Sequence, residues 1–194
     1  MITPLQSAAL AVASCIAAAA PGASQAANVG GVELEDSVQL AGRQLTLNGA
    51  GIGFRLVFKV YAIGLYLPDR RRTTEAVLAT DGPRRLFITL LRDVTAEEFE
   101  EAILDGDDTA EPAIAAQLAQ LGRTIASRAR GLRRGDLLTL DWIPGTGTVV
   151  ELNRKPLARP MGDLAFYNAL LNIWLGEKPT DPALKPVLLG QARL

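Results

Sequence analysis

The chain contains no histidine. A Ser-His-Asp or Cys-His nucleophile is therefore excluded, as is any metal held by imidazole. Its single cysteine is Cys15, so neither an intramolecular disulfide nor a thiolate cluster can form. No metal and no cofactor is expected from this residue set. Aromatic side chains are scarce at 5%, which leaves alanine, leucine and valine to fill the core. Charge of neither sign is in excess, with 20 Lys+Arg against 21 Asp+Glu. That balance lacks both the basic stripe of a nucleic-acid binder and the acidic bias of a disordered tail. The continuous run of apolar and small residues from Leu10 to Ala20 is short of the ~20 residues a membrane span needs. A length of 194 residues suits one domain with a substantial core.

Residues 1–27 carry no charged side chain, and the first in the chain is Glu33. Pro21-Gly22 breaks the apolar run, and Ser24-Gln25-Ala26 then offers small residues at the two positions a signal peptidase reads. The expectation is a signal peptide over 1–26, a single domain over 27–194, and an exported, periplasmic protein with no membrane span in its mature chain. Val12-Ala13-Ser14-Cys15 resembles a lipobox. A lipoprotein anchored through Cys15 is the alternative.

The stretch Gly49 to Pro68 opens on glycines, closes on proline, and is rich in β-branched and aromatic residues between them. It reads as one long strand. Alternation then places Arg55, Val57, Lys59, Tyr61, Ile63 and Leu65 on one face. Ahead of it, Val32 to Asn48 reads as short strands, with Asn48-Gly49 a turn into the long one. A buried Arg55 needs an anionic or hydrogen-bonding partner.

After Pro68, Thr73 to Ala79 is a short helix and Arg85 to Leu91 a strand. Thr95 followed by Glu98 is a capping box, so a helix begins there, with Phe99, Ala102 and Ile103 as its inward stripe. Its glutamates favour the helix dipole and a solvated face over acid-base work. Pro112 to Arg130 is a longer amphipathic helix. Leu137–Trp142 and Thr148–Leu152 are strands, and the glycine-rich loop between them is a hairpin rather than a phosphate cradle. Asp163 caps a helix to Leu175 that is apolar nearly all round, and Asp181-Pro182 opens a last short helix. Strands, helices, strands, helices in that order give an α+β fold, an antiparallel sheet with helices packed against it.

Four of these pieces carry a family resemblance: GAGIGFRLVFKVYAIGLYLP, RLFITLLRDVTAEEFEEAI, LDWIPGTGTVVELN and FYNALLNIWLGEKPTDPALK. In this order they resemble the chalcone isomerase-like proteins, in their bacterial, exported branch. The resemblance runs from about Val29 to Gly190. It implies an open-faced β-sandwich: a large antiparallel sheet, a helical layer, and a ligand cleft between them. The family contains isomerases, fatty-acid-binding proteins and non-catalytic members.

The isomerases hold the substrate oxyanion with an arginine after a glycine-rich turn. Arg55 is the only arginine in the matching stretch, whereas a match on the GAG turn itself places Gly53 there. Their strand threonine falls on Tyr61 and their cleft tyrosine on Phe99. A further polar residue falls near Gly106, and a hydroxyl on the late helix falls on Ile173. A cleft stripped of those hydroxyls positions water and protons poorly, which argues against chalcone cyclisation. The resemblance instead implies a non-enzymatic protein binding a small amphipathic carboxylate such as a fatty acid. Arg55 and Tyr61 would meet the head, and Val57, Ile63, Phe99 and Ile173 the tail. The alternatives are an isomerase-type lyase of unknown substrate, and a structural or partner-binding protein. In the last, a helix glutamate takes Arg55 and side chains fill the cleft. What separates them is whether the space beside Arg55 is empty.

Overall fold

The computed structural model describes residues 26–105, 111–129 and 131–192. Residues 1–25 of the expected leader, Cys15 among them, lie outside these, as does Gly106. A two-stranded ribbon, β1 (Ala27–Val29) and β2 (Val32–Leu34), precedes a seven-stranded sheet. The sheet runs β3 (Ser37–Leu40), β4 (Arg43–Arg55), β5 (Phe58–Leu67), β6 (Arg84–Leu90), β7 (Leu137–Ile143), β8 (Gly147–Leu152) and β9 (Lys155–Pro156). Spatial order equals chain order and every pairing is antiparallel. Helix α1 (Thr74–Leu78) lies between β5 and β6 in the chain. Helices α2 (Ala96–Asp105) and α3 (Pro112–Ala129) lie between β6 and β7, and α4 (Leu164–Leu175) and α5 (Leu184–Leu188) follow β9. This is the expected α+β architecture.

Alternation along β5 divides the core. Ile63, Leu65 and Leu67 join Leu118, Leu121 and Ile125 of α3 and Leu170 of α4 in one buried cluster. Ala62 and Tyr66, from the other face, join Leu45, Leu47, Val29 and Leu34 in a second. The long helices therefore cover one face and the β1–β2 ribbon part of the other. Each fully buried leucine or isoleucine here stabilises the fold by about 1.5–3 kcal/mol. Three or four such residues on one helix outweigh any single cap. The caps set where the helices begin. Thr95 Oγ1 accepts from the Glu98 N–H at 3.1 Å while Glu98 Oε2 accepts from the Thr95 N–H at 3.0 Å, a reciprocal capping box. Asp163 accepts from the Phe166 N–H at 3.0 Å and starts α4.

Two strand expectations are corrected. Gly49 to Pro68 is not one strand but parts of two, turned back at Leu56-Val57 between the paired Arg55 and Phe58. The turn has no glycine, asparagine or proline to announce it. Leu56 itself takes the left-handed conformation, φ 55°. The reversal also breaks the face assignment, since Arg55 and Val57 no longer alternate in register with Tyr61. Asn48-Gly49 is not a turn either. It is a bulge inside β4, where the register against β5 shifts. Asn48, buried there, donates to the Leu188 carbonyl at 2.8 Å and the Arg71 carbonyl at 2.9 Å, and accepts from the Arg71 N–H at 2.7 Å. It thereby fastens the basic loop and the end of α5 to the sheet.

One fully buried cation was not foreseen. Arg84 of β6 donates to the Val77 carbonyl (3.1 Å) and to Asn168 Oδ1 (3.0 Å). Its guanidinium lies 5.6 Å from the Tyr167 ring centre. It ties α1 and α4 to the sheet.

Candidate functional site

A cavity of about 290 Å³ opens between the helical layer and the sheet. Its floor is Tyr61 of β5, Ile88 and Leu90 of β6, and Leu138 and Leu140 of β7. Phe99, Ala102 and Ile103 of α2 form one wall, and Leu170, Ile173 and Trp174 of α4 another, with Leu121 and Ile125 of α3 behind. The sequence produces this because the inward stripe of α2 meets the all-apolar α4 across a gap that no side chain fills. The deep lining residues are aliphatic and buried. The polar ones (Arg55, Arg92, Glu98, Lys178 and Thr180) are partly or fully exposed. The cavity is therefore a wet, charged mouth leading to a dry interior.

At the mouth, Arg55 pairs with Glu101 of α2 at 2.9 Å, the two side chains being 46% and 57% exposed. A pair this open to water is worth about 0–1 kcal/mol, so a ligand carboxylate can displace it. Arg92 holds Glu98 through two contacts of 3.2 Å. That contact, and after it the Thr95 N–H, keeps the Glu98 carboxyl below the ordinary carboxylate range. Glu98 thus stays ionised as a fixed part of the rim.

Further in, the Tyr61 hydroxyl accepts the Trp174 indole N–H at 2.9 Å. Burial raises the phenol above its ordinary value of 10.0, with the Trp174 hydrogen bond opposing this, Asp181 raising it further and Thr180 lowering it. Tyr61 therefore remains a neutral donor at physiological pH. Its ring sits directly over Gly53, where an added Cβ would come within 2.2 Å of it. The loop after α4 is pinned beside it: Asp181 accepts from the Phe54 N–H at 3.1 Å and the Ala183 N–H at 3.0 Å.

Of the six residues expected in the cleft, Arg55, Tyr61, Phe99 and Ile173 line this cavity. Val57 does not: it sits at the hairpin tip, exposed, because the chain reverses there. Ile63 does not either. It shares Tyr61's face but lies two residues deeper, sealed in the core with no exposure. The helix glutamate considered as a partner for Arg55 is Glu101. Sequence reasoning missed Trp174 as a contact, Arg92 and Glu98 as rim, and Lys178 and Thr180 as the far lip. The capping box did mark Glu98, but as an ordinary solvated residue. Among the described residues no group of acidic side chains is arranged to hold a metal ion, and no helix is long and apolar enough to cross a membrane.

A family model described as chalcone isomerase-like matches residues 26–190. No curated protein sequence matches the chain. Among solved structures, it is similar to a fatty-acid binding protein of Arabidopsis thaliana, with a TM-score of 0.64 at 14% identity. The match covers 82% of this chain and 92% of the plant protein. At that identity the likeness is one of fold.

Proposed function

Because the chain belongs to the chalcone isomerase-like family, and its cleft is open beside a cation, we propose that it binds a small amphipathic carboxylate such as a fatty acid. The carrying observation is the cavity: a space that side chains leave unfilled, aliphatic within, and bordered at its mouth by Arg55. In this reading the carboxylate displaces Glu101 from Arg55, whose fork suits a carboxylate, and Tyr61 donates a second hydrogen bond. The acyl chain lies against Phe99, Ile103, Leu121 and Ile173. The similar plant structure is that of a fatty-acid binding protein, which supports this ligand class by analogy of fold. We further propose that the protein is exported and works outside the cytoplasm, on the strength of the 1–26 segment.

The wall offers little to proton transfer. Phe99 and Ile173 carry no donor, so the donors available to an oxyanion are the Tyr61 phenol and the side chains of the exposed mouth, Arg55, Arg92, Lys178 and Thr180. The open cavity also favours binding over a structural role with a filled cleft. Native mass spectrometry of protein purified from its host, joined to fatty-acid titrations of wild type and Arg55→Ala, tests the proposal. Retained lipid and roughly tenfold weaker binding by the variant, about 1.4 kcal/mol, are expected. Recovery of lipid-free protein together with identical titrations would remove it.

A further inference from the structure

The turn between β4 and β5 carries the most exposed large apolar side chains of the described residues. Leu56 is 92% exposed, Val57 80% and Phe58 64%. Single exposed leucines are ordinary, but three consecutive apolar residues on a projecting turn are not. The backbone points the same way. Leu56 sits at φ 55°, where glycine or asparagine would rest without strain. Tightness of the turn therefore does not explain a leucine there.

Charge narrows what covers the tip. No acidic residue occurs in the sequence between Asp36 and Asp69, and Arg55 and Lys59 flank the apolar triplet; Arg55 is held by Glu101 and Asp181 is engaged by the Phe54 N–H, which leaves Lys59 as the cation at the tip. Lys59 is exposed and makes no ion pair among the described residues. Position narrows it further. Phe54 and Arg55 line the cavity, so the tip is the lip of the mouth. A convex apolar turn between cations, beside the entrance to an aliphatic cavity, matches an anionic lipid surface better than a protein groove.

We propose that the Leu56–Phe58 tip docks the protein on anionic lipid bilayers, with its apolar side chains in the interface and Lys59 against headgroup phosphates. The cavity mouth then faces the membrane, and an acyl chain passes between bilayer and cavity without crossing bulk water. The transfer half rests on the fatty-acid reading, whereas docking does not.

The test is flotation of the purified soluble protein with vesicles of phosphatidylcholine alone, or mixed with phosphatidylglycerol. Wild type is compared with Leu56→Ser/Phe58→Ser and with Lys59→Gln. Decanoate titrations and sedimentation are run without vesicles. Expected are binding to the mixed vesicles, weakened by salt, with a loss of roughly tenfold or more in the double tip variant and of roughly several-fold in Lys59→Gln. Decanoate affinity stays unchanged, which shows the variants are folded. Docking is overturned by absence of wild-type flotation with mixed vesicles, or by equal flotation of wild type and variants. A wild-type dimer that the tip variant abolishes, without flotation of either, would assign the tip to a second copy instead. Flotation without any decanoate binding leaves docking standing and removes the fatty-acid reading alone.

Discussion

Trp174 of α4 donates its indole N–H to the hydroxyl of Tyr61 on β5 at 2.9 Å, across 113 positions of sequence. The contact joins the helical layer to the sheet beside the cavity and holds the half-buried Tyr61 hydroxyl in its lining. A phenol oxygen that accepts from an indole keeps its own proton to donate, and in the fatty-acid reading a ligand head competes with Thr180 for it.

Tyr61→Phe should therefore act twice. It strands the Trp174 N–H in a part-buried place, at a cost of about 1–3 kcal/mol, and removes a donor from the cavity. Urea unfolding should show the first effect and decanoate titration a several-fold loss of affinity. Trp174→Phe removes the same hydrogen bond but leaves the Tyr61 donor in place. Its affinity loss should be smaller than that of Tyr61→Phe, and an equal loss would mean that Tyr61 serves only packing.

Glu101 competes with any ligand for Arg55. Glu101→Gln should tighten fatty-acid binding a few-fold, since the guanidinium no longer has to exchange one carboxylate for another. Stability should change by less than about 1 kcal/mol, because both side chains are half exposed. Calorimetric titration at low and high salt checks this. The gain over wild type should shrink as salt screens the competing charge, and weaker binding by the variant would contradict the displacement step.

Two glycines of β4 should respond differently to a methyl group. At Gly49 an added Cβ would come within 2.1 Å of the Val187 carbonyl oxygen. That atom is backbone and cannot swing aside, so α5 must lift from the bulge. At Gly53 the nearest atoms belong to the Tyr61 ring, which can tilt if it gives up Trp174. Gly49→Ala should thus be the more destabilising by thermal melting, and Gly53→Ala the more damaging to ligand affinity relative to its stability loss.

Much of this fold is legible in the chain because its signals are local. Thr95 and Glu98, or Asp163 before an apolar run, announce helix starts through hydrogen bonds a few residues long. The β7–β8 hairpin has its glycines. The tip at Leu56-Val57 was not legible, because no residue there favours a turn. Pairing of Phe54 with Lys59 and Arg55 with Phe58 imposes the reversal on Leu56. The cavity was half legible. Alternation correctly places Tyr61 and Ile63 on one face, but depth along that face depends on where α4 and α2 settle. Tyr61 consequently lines the cavity and Ile63 does not.

The buried pair across β6 and β7 should be fragile to single changes. Arg85 meets Asp141 through two contacts of 2.7 and 2.5 Å, with Asp141 almost wholly buried. Asp141→Ala leaves a part-buried guanidinium without its main partner and should cost about 3 kcal/mol, the low end for a buried pair because Arg85 keeps some exposure and has Glu151 nearby. Replacing both, as Arg85→Met with Asp141→Leu, should cost clearly less, because no charge is left uncompensated. A double-mutant cycle by denaturant unfolding separates the two, and additive costs would show that the pair is not coupled.

All three tyrosines of the chain resist ionisation in the fold. Burial is the leading cause for each. Tyr66, whose hydroxyl donates to the Glu35 carbonyl at 3.0 Å, is pushed from 10.0 up to about 12. Tyr167, which donates to the Leu140 carbonyl at 3.1 Å, is raised further, and Tyr61 is raised as well. Between 10.0 and the folded values, the unfolded chain has lost phenolic protons that the native chain keeps. Rising pH then favours unfolding. The stabilisation from these groups is complete below about pH 10 and is lost as pH climbs through the folded values. Tyrosinate absorbance should accordingly stay flat past pH 10, then rise in one step together with loss of the far-ultraviolet circular dichroism. A gradual rise centred near pH 10 with the dichroism intact would mean that at least one of these hydroxyls, Tyr61 at the cavity being the first to suspect, stands open to water.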